Sequence, residues 1–349
     1  MKNIIKILII CISAISFAQE KDSLKIKVSG FLETYYAYDF SNPTTDTKLP
    51  FMYNYNRHNE FNVNNGLIRA QLQYGNTYAS IAVHAGTYVV DNYASEDIKL
   101  VSEAFVGMYL NDNKKSSIEV GIMPSYIGFE SATTATNLTL TRSILAENSP
   151  YFMTGIKYNY KPSDKWSFSG LVTNGWQRIN KPDKTVAPGI GTQIVYKPSE
   201  KATLNWSTFI GKEFYGTELA MRYFNNLYWD NTWNSKWRTI LGFDFGIQDS
   251  SSLNDEHLFW MSPVLIAQYS ISSKWQTAVR VEYYEDEDNV IIATSDAFKT
   301  SGASINFDYL PNSKVKLRTE ARYFDSKEAI FFDNKSNNFF VTTSLSFEF

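Results

Sequence analysis

Cysteine and histidine are scarce in this chain. Its 349 residues include one cysteine, Cys11, and three histidines, His58, His84 and His257. One cysteine cannot form an internal disulfide, and no histidine lies at the short spacing from a second ligand that is typical of metal sites. We therefore expect a protein without a disulfide framework, metal or other cofactor.

Long apolar segments are also lacking, except at the N-terminus. Lys2 and Lys6 precede an apolar run at residues 7–15, and residues 16–18 supply small side chains before a cleavage point. This order is typical of a secretory signal peptide, and the run is too short to cross a bilayer. We predict a signal peptide at residues 1–18, with a retained membrane anchor as the alternative.

The remaining residues, 19–349, are predicted to form a single domain. Removal of the signal peptide leaves no cysteine and leaves 31 basic against 36 acidic residues, a net charge of −5. This mild acidity argues against a nucleic-acid partner. Mean hydropathy is −0.29, yet 16% of the residues are aromatic. An exported chain of this composition is typical of a β-barrel with a wet interior and a lipid-facing belt.

Apolar and polar residues alternate with a period of two along most of this domain. Leu317 and Tyr323 lie on one face of a predicted strand, and Arg318, Glu320 and Arg322 lie on the other. Successive side chains of a strand point to opposite faces, so each such strand has an apolar and a polar side. Aromatic residues often begin and end the apolar side, as they do where strands cross a bilayer.

A turn motif recurs at intervals of 35 to 40 residues. Tyr160 to Lys165 is repeated as Tyr196 to Lys201, and weaker copies end at Lys236, Lys274 and Lys314. Its Pro, Ser and Asp or Asn residues favour tight turns. Each interval is therefore predicted to hold two strands, a short turn and a longer loop. A tryptophan follows three of these turns and is expected at one membrane interface: Trp166, Trp237 and Trp275.

The alternation predicts sixteen strands. They lie near residues 25–38, 61–74, 78–89, 100–110, 117–123, 151–160, 166–174, 189–197, 202–212, 218–228, 236–248, 257–269, 274–285, 300–309, 314–324 and 338–349. Lipid cannot hydrogen-bond a free sheet edge, so the sheet must close into an antiparallel transmembrane barrel. Both termini and the short turns are then periplasmic, the long loops are extracellular, and about sixteen strands leave a water channel. Fourteen or eighteen strands, or a soluble sandwich, are the alternatives.

Charged residues at polar strand positions are predicted to line the channel. Charge facing the bilayer midplane costs roughly 2–4 kcal/mol for Lys or Arg, so these side chains should face water inside the barrel. Charges of both signs are present, so no ion preference is predicted. The predicted pore-lining charges are Arg69, Arg222, Arg238, Asp244, Arg280, Glu282, Lys316, Arg318, Glu320 and Arg322.

The last strand ends on Phe349 and alternates fully up to that residue. An amphipathic strand with a terminal phenylalanine resembles the signal that the barrel-assembly machinery reads. We therefore expect Phe349 to act as an assembly signal.

Short motifs are distributed along the predicted barrel. They are Phe31 to Tyr36, Gly121-Ile122-Met123-Pro124, Gly128-Phe129-Glu130, Thr141-Arg142-Ser143, Pro150 with Gly155, and Asn174-Gly175-Trp176. With these motifs the chain resembles the OmpL-like family of β-barrel porins of Gram-negative outer membranes. The resemblance implies a porin fold and passive transport, and it carries over Glu130, Arg142, Asn174, Gly175 and Trp176 as functional positions. For the last three, we favour a strand-end turn with an interfacial tryptophan.

The longest stretch without strand periodicity runs from Pro124 to Pro150 and forms the third long loop. Loops of this length are usually functional or disordered. The porin resemblance implies that this loop folds into the lumen and narrows it, with Glu130, Arg142 and Glu147 at the constriction. An ordinary surface loop is the alternative.

The sequence thus predicts an outer-membrane porin, not an enzyme, through which small hydrophilic solutes and ions diffuse. Its expected partners are membrane lipid, the assembly machinery and the solutes, with a homotrimer as one compatible assembly. Three alternatives stay open. They are a non-conducting envelope or adhesion barrel, a barrel-embedded hydrolase that would use His84, and a channel specific for one solute class.

Overall fold

The computed structural model describes residues 23–181, 183, 186–250 and 256–349. The predicted signal peptide, residues 1–18, lies outside the described residues. Sixteen strands form one closed antiparallel barrel, as predicted, and each strand pairs with its neighbours in the sequence. The strands are β1 (Lys25–Asp39), β2 (Phe61–Tyr74), β3 (Thr77–Ala85), β4 (Val101–Tyr109), β5 (Ser116–Pro124), β6 (Phe152–Tyr160), β7 (Trp166–Thr173), β8 (Gly189–Ser199), β9 (Ala202–Tyr215), β10 (Glu218–Thr232), β11 (Trp237–Asp249), β12 (His257–Ser270), β13 (Trp275–Asp286), β14 (Phe298–Asn312), β15 (Val315–Ser326) and β16 (Asn337–Glu348).

The helical segments are short and lie in the connections between strands. Among the described residues, no helix has the length and apolarity that a membrane span requires. The segments are α1 (Thr87–Asn92), α2 (Ile144–Glu147) and the 3₁₀ turns Thr134–Thr136 and Phe332–Asn334.

The first and last strands close the barrel. Their register runs from Phe31 opposite Glu348 to Asp39 opposite Phe340. This seam leaves no strand edge whose peptide groups would face lipid unpaired. Closure is therefore what allows the sheet to exist in a membrane.

The predicted alternation is visible in the exposure of the side chains. On β15, Leu317 and Tyr323 are 42% and 45% exposed on the outer wall, whereas Arg318, Glu320 and Arg322 are fully buried inside. Aromatic pairs mark the outer wall at the end of the short turns, where rings suit a membrane interface. Their ring centroids are 4.3, 4.8 and 4.7 Å apart in the pairs Trp166–Tyr196, Trp237–Tyr269 and Trp275–Tyr309.

The prediction of a strand over 78–89 is wrong at its C-terminal end. β3 ends at Ala85, and α1 begins at Thr87. Gly86 between them has φ +142°, and a Cβ there would lie 2.3 Å from the carbonyl oxygen of Asn64. Only glycine fits this conformation readily. The alternation with a period of two and the β-branched residues predicted a continuing strand. Neither feature of the sequence indicates that the backbone turns at a glycine.

The lumen near the long loops is apolar, which differs from the expected uniformly wet interior. Leu49, Phe51 and Met52, from the β1–β2 connection, pack there in one buried cluster with inward-facing aromatic residues. Apolar burial of this kind is the main favourable term in folding, so the cluster forms the core that holds the connection inside the barrel. The aromatic residues, each at most 2% exposed, are Phe209, Phe224, Trp260, Phe298, Phe324 and Phe340.

Gly30 leaves room for the C-terminal ring at the seam. A Cβ at Gly30 would lie 2.3 Å from Cζ of Phe349, so Gly30→Ala should displace the ring and weaken closure. We expect the variant to lose up to about 1 kcal/mol of unfolding free energy in urea, the scale of one cross-strand pair. Gly170→Ala is the control, because a Cβ at Gly170 has no neighbour within 4 Å. Equal losses in both variants would contradict this account.

Candidate functional site

Residues 125–151, here called L3, join β5 to β6 and cross the inside of the barrel. Near one end of L3, the Tyr126 hydroxyl donates to the carbonyl oxygen of Thr208 on β9 at 2.6 Å. Further along, the Thr141 N–H donates to Glu320 Oε2 on β15 at 2.6 Å. L3 is therefore tied to two walls of the barrel that are far apart in the sequence.

Four buried ion pairs on β13–β15 form the main attachment of L3. They are Arg280–Glu320 at 2.7 Å, Arg280–Glu282 at 3.2 Å, Arg322–Glu282 at 2.6 Å and Arg318–Asp308 at 2.8 Å. The same arginines donate to L3 carbonyl oxygens, namely those of Thr141 at 2.7 Å, Arg142 at 2.7 Å and Thr134 at 3.0 Å. A buried ion pair adds little net stability, because desolvation offsets its Coulomb energy. The pairs therefore matter chiefly for the position of L3.

Residues 40–60, here called L1, also enter the barrel and are bound to L3 through Glu147. This carboxylate accepts hydrogen bonds from Tyr53 N–H at 2.9 Å, Asn54 Nδ2 at 3.1 Å and the Tyr151 hydroxyl at 2.8 Å. Its side chain lacks a cation partner within ion-pair distance among the described residues, so three neutral donors satisfy it. L1 and L3 thus form one unit inside the barrel.

A second buried carboxylate, Glu33 on β1, holds both loops to the wall. It accepts from the Tyr55 hydroxyl of L1 at 2.6 Å, from the Thr134 hydroxyl of L3 at 3.0 Å and from the Ser344 hydroxyl of β16 at 2.9 Å. Glu33 is fully buried. It therefore links both inward loops to the seam.

A cavity of about 340 Å³ lies between L3 and the β2–β4 wall. A smaller cavity of about 80 Å³ shares Leu67, Arg69 and Thr133 with it and reaches Ser29 beside the seam. Polar and charged residues of the larger cavity are Asn65, Arg69, His84, Glu103, Glu130 and Arg142, and its rings include Tyr88, Tyr93, Phe129, Tyr151 and Tyr228.

The cavity carries charges of both signs. On the wall, Arg69 and Glu103 form an ion pair. On L3, Glu130 accepts from the N–H and the hydroxyl of Ser143; burial raises the pKa of the Glu130 carboxyl, and the charge of Arg280 opposes this rise. The Arg142 guanidinium lies 3.8 Å above the centre of the Tyr151 ring. The wall and L3 therefore each present one positive and one negative side chain to this space.

Helix α1 covers the cavity at the end of the long loops. Tyr88 and Tyr93 line the cavity and are each 2% exposed. The helix is held to L1 by two hydrogen bonds of 2.7 Å between the Arg57 guanidinium and the Asp91 carboxylate. α1, L1 and L3 are thus bonded in succession beside the cavity.

The three predicted constriction residues are all on L3 but have different surroundings. Glu130 and Arg142 line the cavity. Glu147 is 1% exposed and contacts L1 instead, as described above.

The predicted pore-lining charges also fall into groups. All of them lie on strands. Five were predicted to face water but are instead buried between L3 and β13–β15, and these are Arg280, Glu282, Arg318, Glu320 and Arg322. Of the others, Arg69 lines the cavity, and Lys316 donates to the carbonyl oxygen of Ala135 in L3.

The remaining three charges have partners on the strands or among the inward rings. The Arg222 guanidinium lies near the rings of Trp176 and Trp260. Asp244 accepts a hydrogen bond from Asn226 at 2.5 Å, and Arg238 pairs with Asp230 at 2.7 Å.

The expected interfacial position of Trp176 is wrong. Asn174 to Trp176 do follow β7 as a turn, but the Trp176 ring points inward, with its centroid 4.6 Å from that of Phe224. The backbone N–H of Trp176 donates to Glu213 Oε1 at 2.5 Å. Gly175, with φ +141°, permits this turn toward the lumen, a conformation that other residues rarely adopt.

Sequence reasoning missed Glu33, Asn65, Glu103 and the tyrosines of α1. Glu33 and Glu103 occupy polar positions of alternating strands and could have been included with the other inward charges. The role of α1 had no such signal, because it depends on the turn at Gly86. Among the described residues, no cluster of three or more potential metal-ligating side chains occurs.

A family model described as "Putative beta-barrel porin-2, OmpL-like" matches residues 25–349. The chain belongs to this porin family. It is an outer-membrane protein that allows passive diffusion through its barrel. No curated protein matches this porin.

Solved outer-membrane proteins share the fold of this porin at low sequence identity. The channel DcaP of Acinetobacter baumannii has a TM-score of 0.65 and 12% identity, with 96% of this chain and 100% of that chain covered. The anion-selective porin of Comamonas acidovorans has a TM-score of 0.61 and 10% identity, with 94% and 100% covered. OmpF of Salmonella typhi, in complex with daunomycin, has a TM-score of 0.62 and 13% identity, with 93% and 98% covered.

Glu320→Gln should loosen L3 in this porin. The change removes the charge that pairs with Arg280 and accepts from Thr141. Removing one partner of a buried ion pair typically lowers the free energy of unfolding by about 3–5 kcal/mol. We expect higher single-channel conductance and faster proteolytic cleavage within L3. Asp230→Asn is the control, because it breaks a partly exposed pair with Arg238 that is worth about 1 kcal/mol or less. Unchanged conductance and protection in Glu320→Gln would refute this role.

Lys48 of L1 should make stability depend on pH. Its Nζ is buried without a hydrogen-bond partner among the described residues, 4.0 Å from the centre of the Phe340 ring. Burial lowers the Lys48 pKa from 10.5 to about 7. Between these values the unfolded chain binds more protons, so the free energy of unfolding should rise with pH. Urea unfolding should be measured at pH 7 and pH 10. The free energy of unfolding should rise less between these pH values in Lys48→Met than in wild type or in the exposed-site control Lys274→Met. The same rise in all three proteins would exclude the effect.

Proposed function

We propose that small hydrophilic solutes and ions cross the barrel along β1–β4, between this wall and L3. The observation that carries the proposal is the pair of adjoining cavities that share Leu67, Arg69 and Thr133. They extend from His84, near the loop end of β3, to Ser29, near the opposite end of β1. L1, L3 and the apolar cluster fill much of the rest of the lumen.

Four charged residues then set the electric field along this route. Arg69 and Glu103 stand on the barrel wall, and Glu130 and Arg142 stand on L3. Charges of opposite sign across a narrow passage tune which ions and dipolar solutes enter. We propose Glu130 and Arg142 as constriction residues, with Glu147 acting indirectly by joining L1 to L3.

The enclosed charges of β13–β15 have a different proposed role. Arg280, Arg318 and Arg322 are at most 1% exposed and donate to L3 carbonyl oxygens. An ion that diffuses through the lumen cannot touch them while L3 is in place. They influence permeation by fixing L3, so they are positioning residues.

Two of the three alternative functions, a hydrolase and a non-conducting barrel, have weaker support. A hydrolase would need His84 to accept a proton from a nucleophile, yet His84 Nε2 is 3.1 Å from the carbonyl oxygen of Lys99 and its ring packs 4.8 Å from that of Tyr93. We therefore propose no catalytic or cofactor-dependent activity. A non-conducting envelope barrel would show no stepwise conductance when purified and placed in a planar bilayer.

Two partners beyond lipid and solutes are part of the proposal. The terminal Phe349 lies at the seam, where it exchanges backbone hydrogen bonds of 2.9 and 3.0 Å with Gly30. We propose that the barrel-assembly machinery reads this end before the seam closes. A homotrimer stays a prediction, which cross-linking in native membranes would test.

Single cysteines in the mature, cysteine-free chain test the route. A thiol reagent with a cationic head group should reduce the conductance of Ser131→Cys by about half or more, because residue 131 lines the large cavity and added charge obstructs a narrow passage. Ser169→Cys is the matched control. Ser169 is half-buried on β7 and is not among the residues that line either cavity. If the reagent lowers the conductance of Ser169→Cys but not that of Ser131→Cys, the route lies elsewhere in the barrel.

A further inference from the structure

Arg142 differs from most arginines of this barrel. All nine arginines of the chain are described, and seven of them lie within 4 Å of a carboxylate oxygen: Arg57, Arg69, Arg178, Arg238, Arg280, Arg318 and Arg322. Arg222 lacks such a pair but donates its Nε to Gln248 at 2.7 Å. Arg142 lacks one too, although it is only 3% exposed.

The guanidinium of Arg142 keeps two unmatched donors. Its Nη2 donates to the carbonyl oxygen of Ala146 at 2.5 Å. Its Nε and Nη1 have no hydrogen-bond partner among the described residues. Leaving a buried charged donor unpaired costs more than leaving a neutral one unpaired, so this position favours an anionic or strongly accepting ligand.

Two further residues of the same cavity are incompletely bonded. Glu130 Oε1 has no hydrogen-bond partner, and both polar atoms of the Asn65 amide lack one. Glu130 is 9% exposed and Asn65 1% exposed. The cavity therefore combines an unmatched cation, an unmatched carboxylate oxygen and an amide that can both donate and accept. Buried polar groups are normally satisfied by protein, water or ligand.

Five aromatic side chains of tyrosine and phenylalanine also line the cavity. Tyr88, Tyr93, Tyr151 and Tyr228 line it together with Phe129. The Phe129 and Tyr228 rings contact each other edge to face, with centroids 5.5 Å apart. The volume of about 340 Å³ lies at the lower end of the roughly 300–1,000 Å³ of small-molecule sites, which combine apolar walls with a few placed polar groups.

We propose that this cavity is a binding site for a zwitterionic solute with a compact apolar or aromatic body, the chemistry of a free amino acid. The solute carboxylate would bind Arg142, its ammonium group would bind Glu130, and its body would pack among the tyrosines. Guanidinium–carboxylate and ammonium–carboxylate hydrogen bonds are the strong, charge-assisted kind. The inference rests on the proposed route, because the site lies on it.

Block of the ion current by three probes of matched body tests the proposal. The probes are phenylalanine, which has both charges, 3-phenylpropionate, which has the carboxylate alone, and 2-phenylethylamine, which has the ammonium group alone. We expect phenylalanine to halve the current of purified porin in planar bilayers at a concentration roughly tenfold or more below either analogue, because one charged hydrogen bond is worth at least that factor.

Two variants should separate the roles of the charged groups. Arg142→Gln should weaken block by phenylalanine and 3-phenylpropionate but not by 2-phenylethylamine. Glu130→Gln, which keeps the size of the side chain, should weaken block by phenylalanine and 2-phenylethylamine but not by 3-phenylpropionate. A merely structural role would affect all probes alike. Arg178→Gln, whose residue does not line the cavity, should leave the block by all three probes unchanged.

The outcomes distinguish this inference from the proposed route. A conducting porin that all three probes block equally, or variants that shift all probes together, would overturn the amino-acid site and leave the route standing. A folded porin without stepwise conductance would overturn both. If Arg142→Gln does not fold, Glu130→Gln still decides the matter, because its expected selectivity between the two analogues is independent.

Discussion

A loop that crosses the inside of a barrel has no neighbouring strand to satisfy its peptide groups, and this constraint governs the interior. L3 meets it with side chains of the barrel wall. Arg280 and Glu320 bind both the N–H and the carbonyl of Thr141, and Arg322 and Arg318 bind further carbonyls. Unpaired buried peptide groups are rarely tolerated, so the charges of β13–β15 are the condition for an ordered L3.

This arrangement divides the barrel into a filled side and an open side. The filled side combines the ion pairs of β13–β15 with the apolar cluster around Phe51, so L1 and L3 are held by directional bonds and by packing. The open side, along β1–β4, keeps its charges partly accessible, with the Arg69 side chain 30% exposed. The shape of the interior therefore depends on where the loops attach, and not only on the width that sixteen strands allow.

The fold was largely predictable, whereas the interior was not. Strand positions follow from alternation, which is local, and barrel closure follows from the membrane; the strand error at residues 78–89 came from one glycine, Gly86. The cavity depends on contacts such as Thr141 with Glu320, which are 179 positions apart. Patterning identifies Arg318 or Glu320 as inward, but no local pattern shows whether such a side chain meets water or another segment of the chain.

The apolar cluster has a consequence for how such a barrel is made. It joins Phe51, from the first loop, to Phe340, on the last strand, and its other members come from L3, from the loops before β14 and β16, and from strands between β6 and β15. Phe340 belongs to the strand that closes the barrel, so the cluster stays incomplete until β16 pairs with β1. Closing the seam therefore also completes the packing that holds the first loop inside.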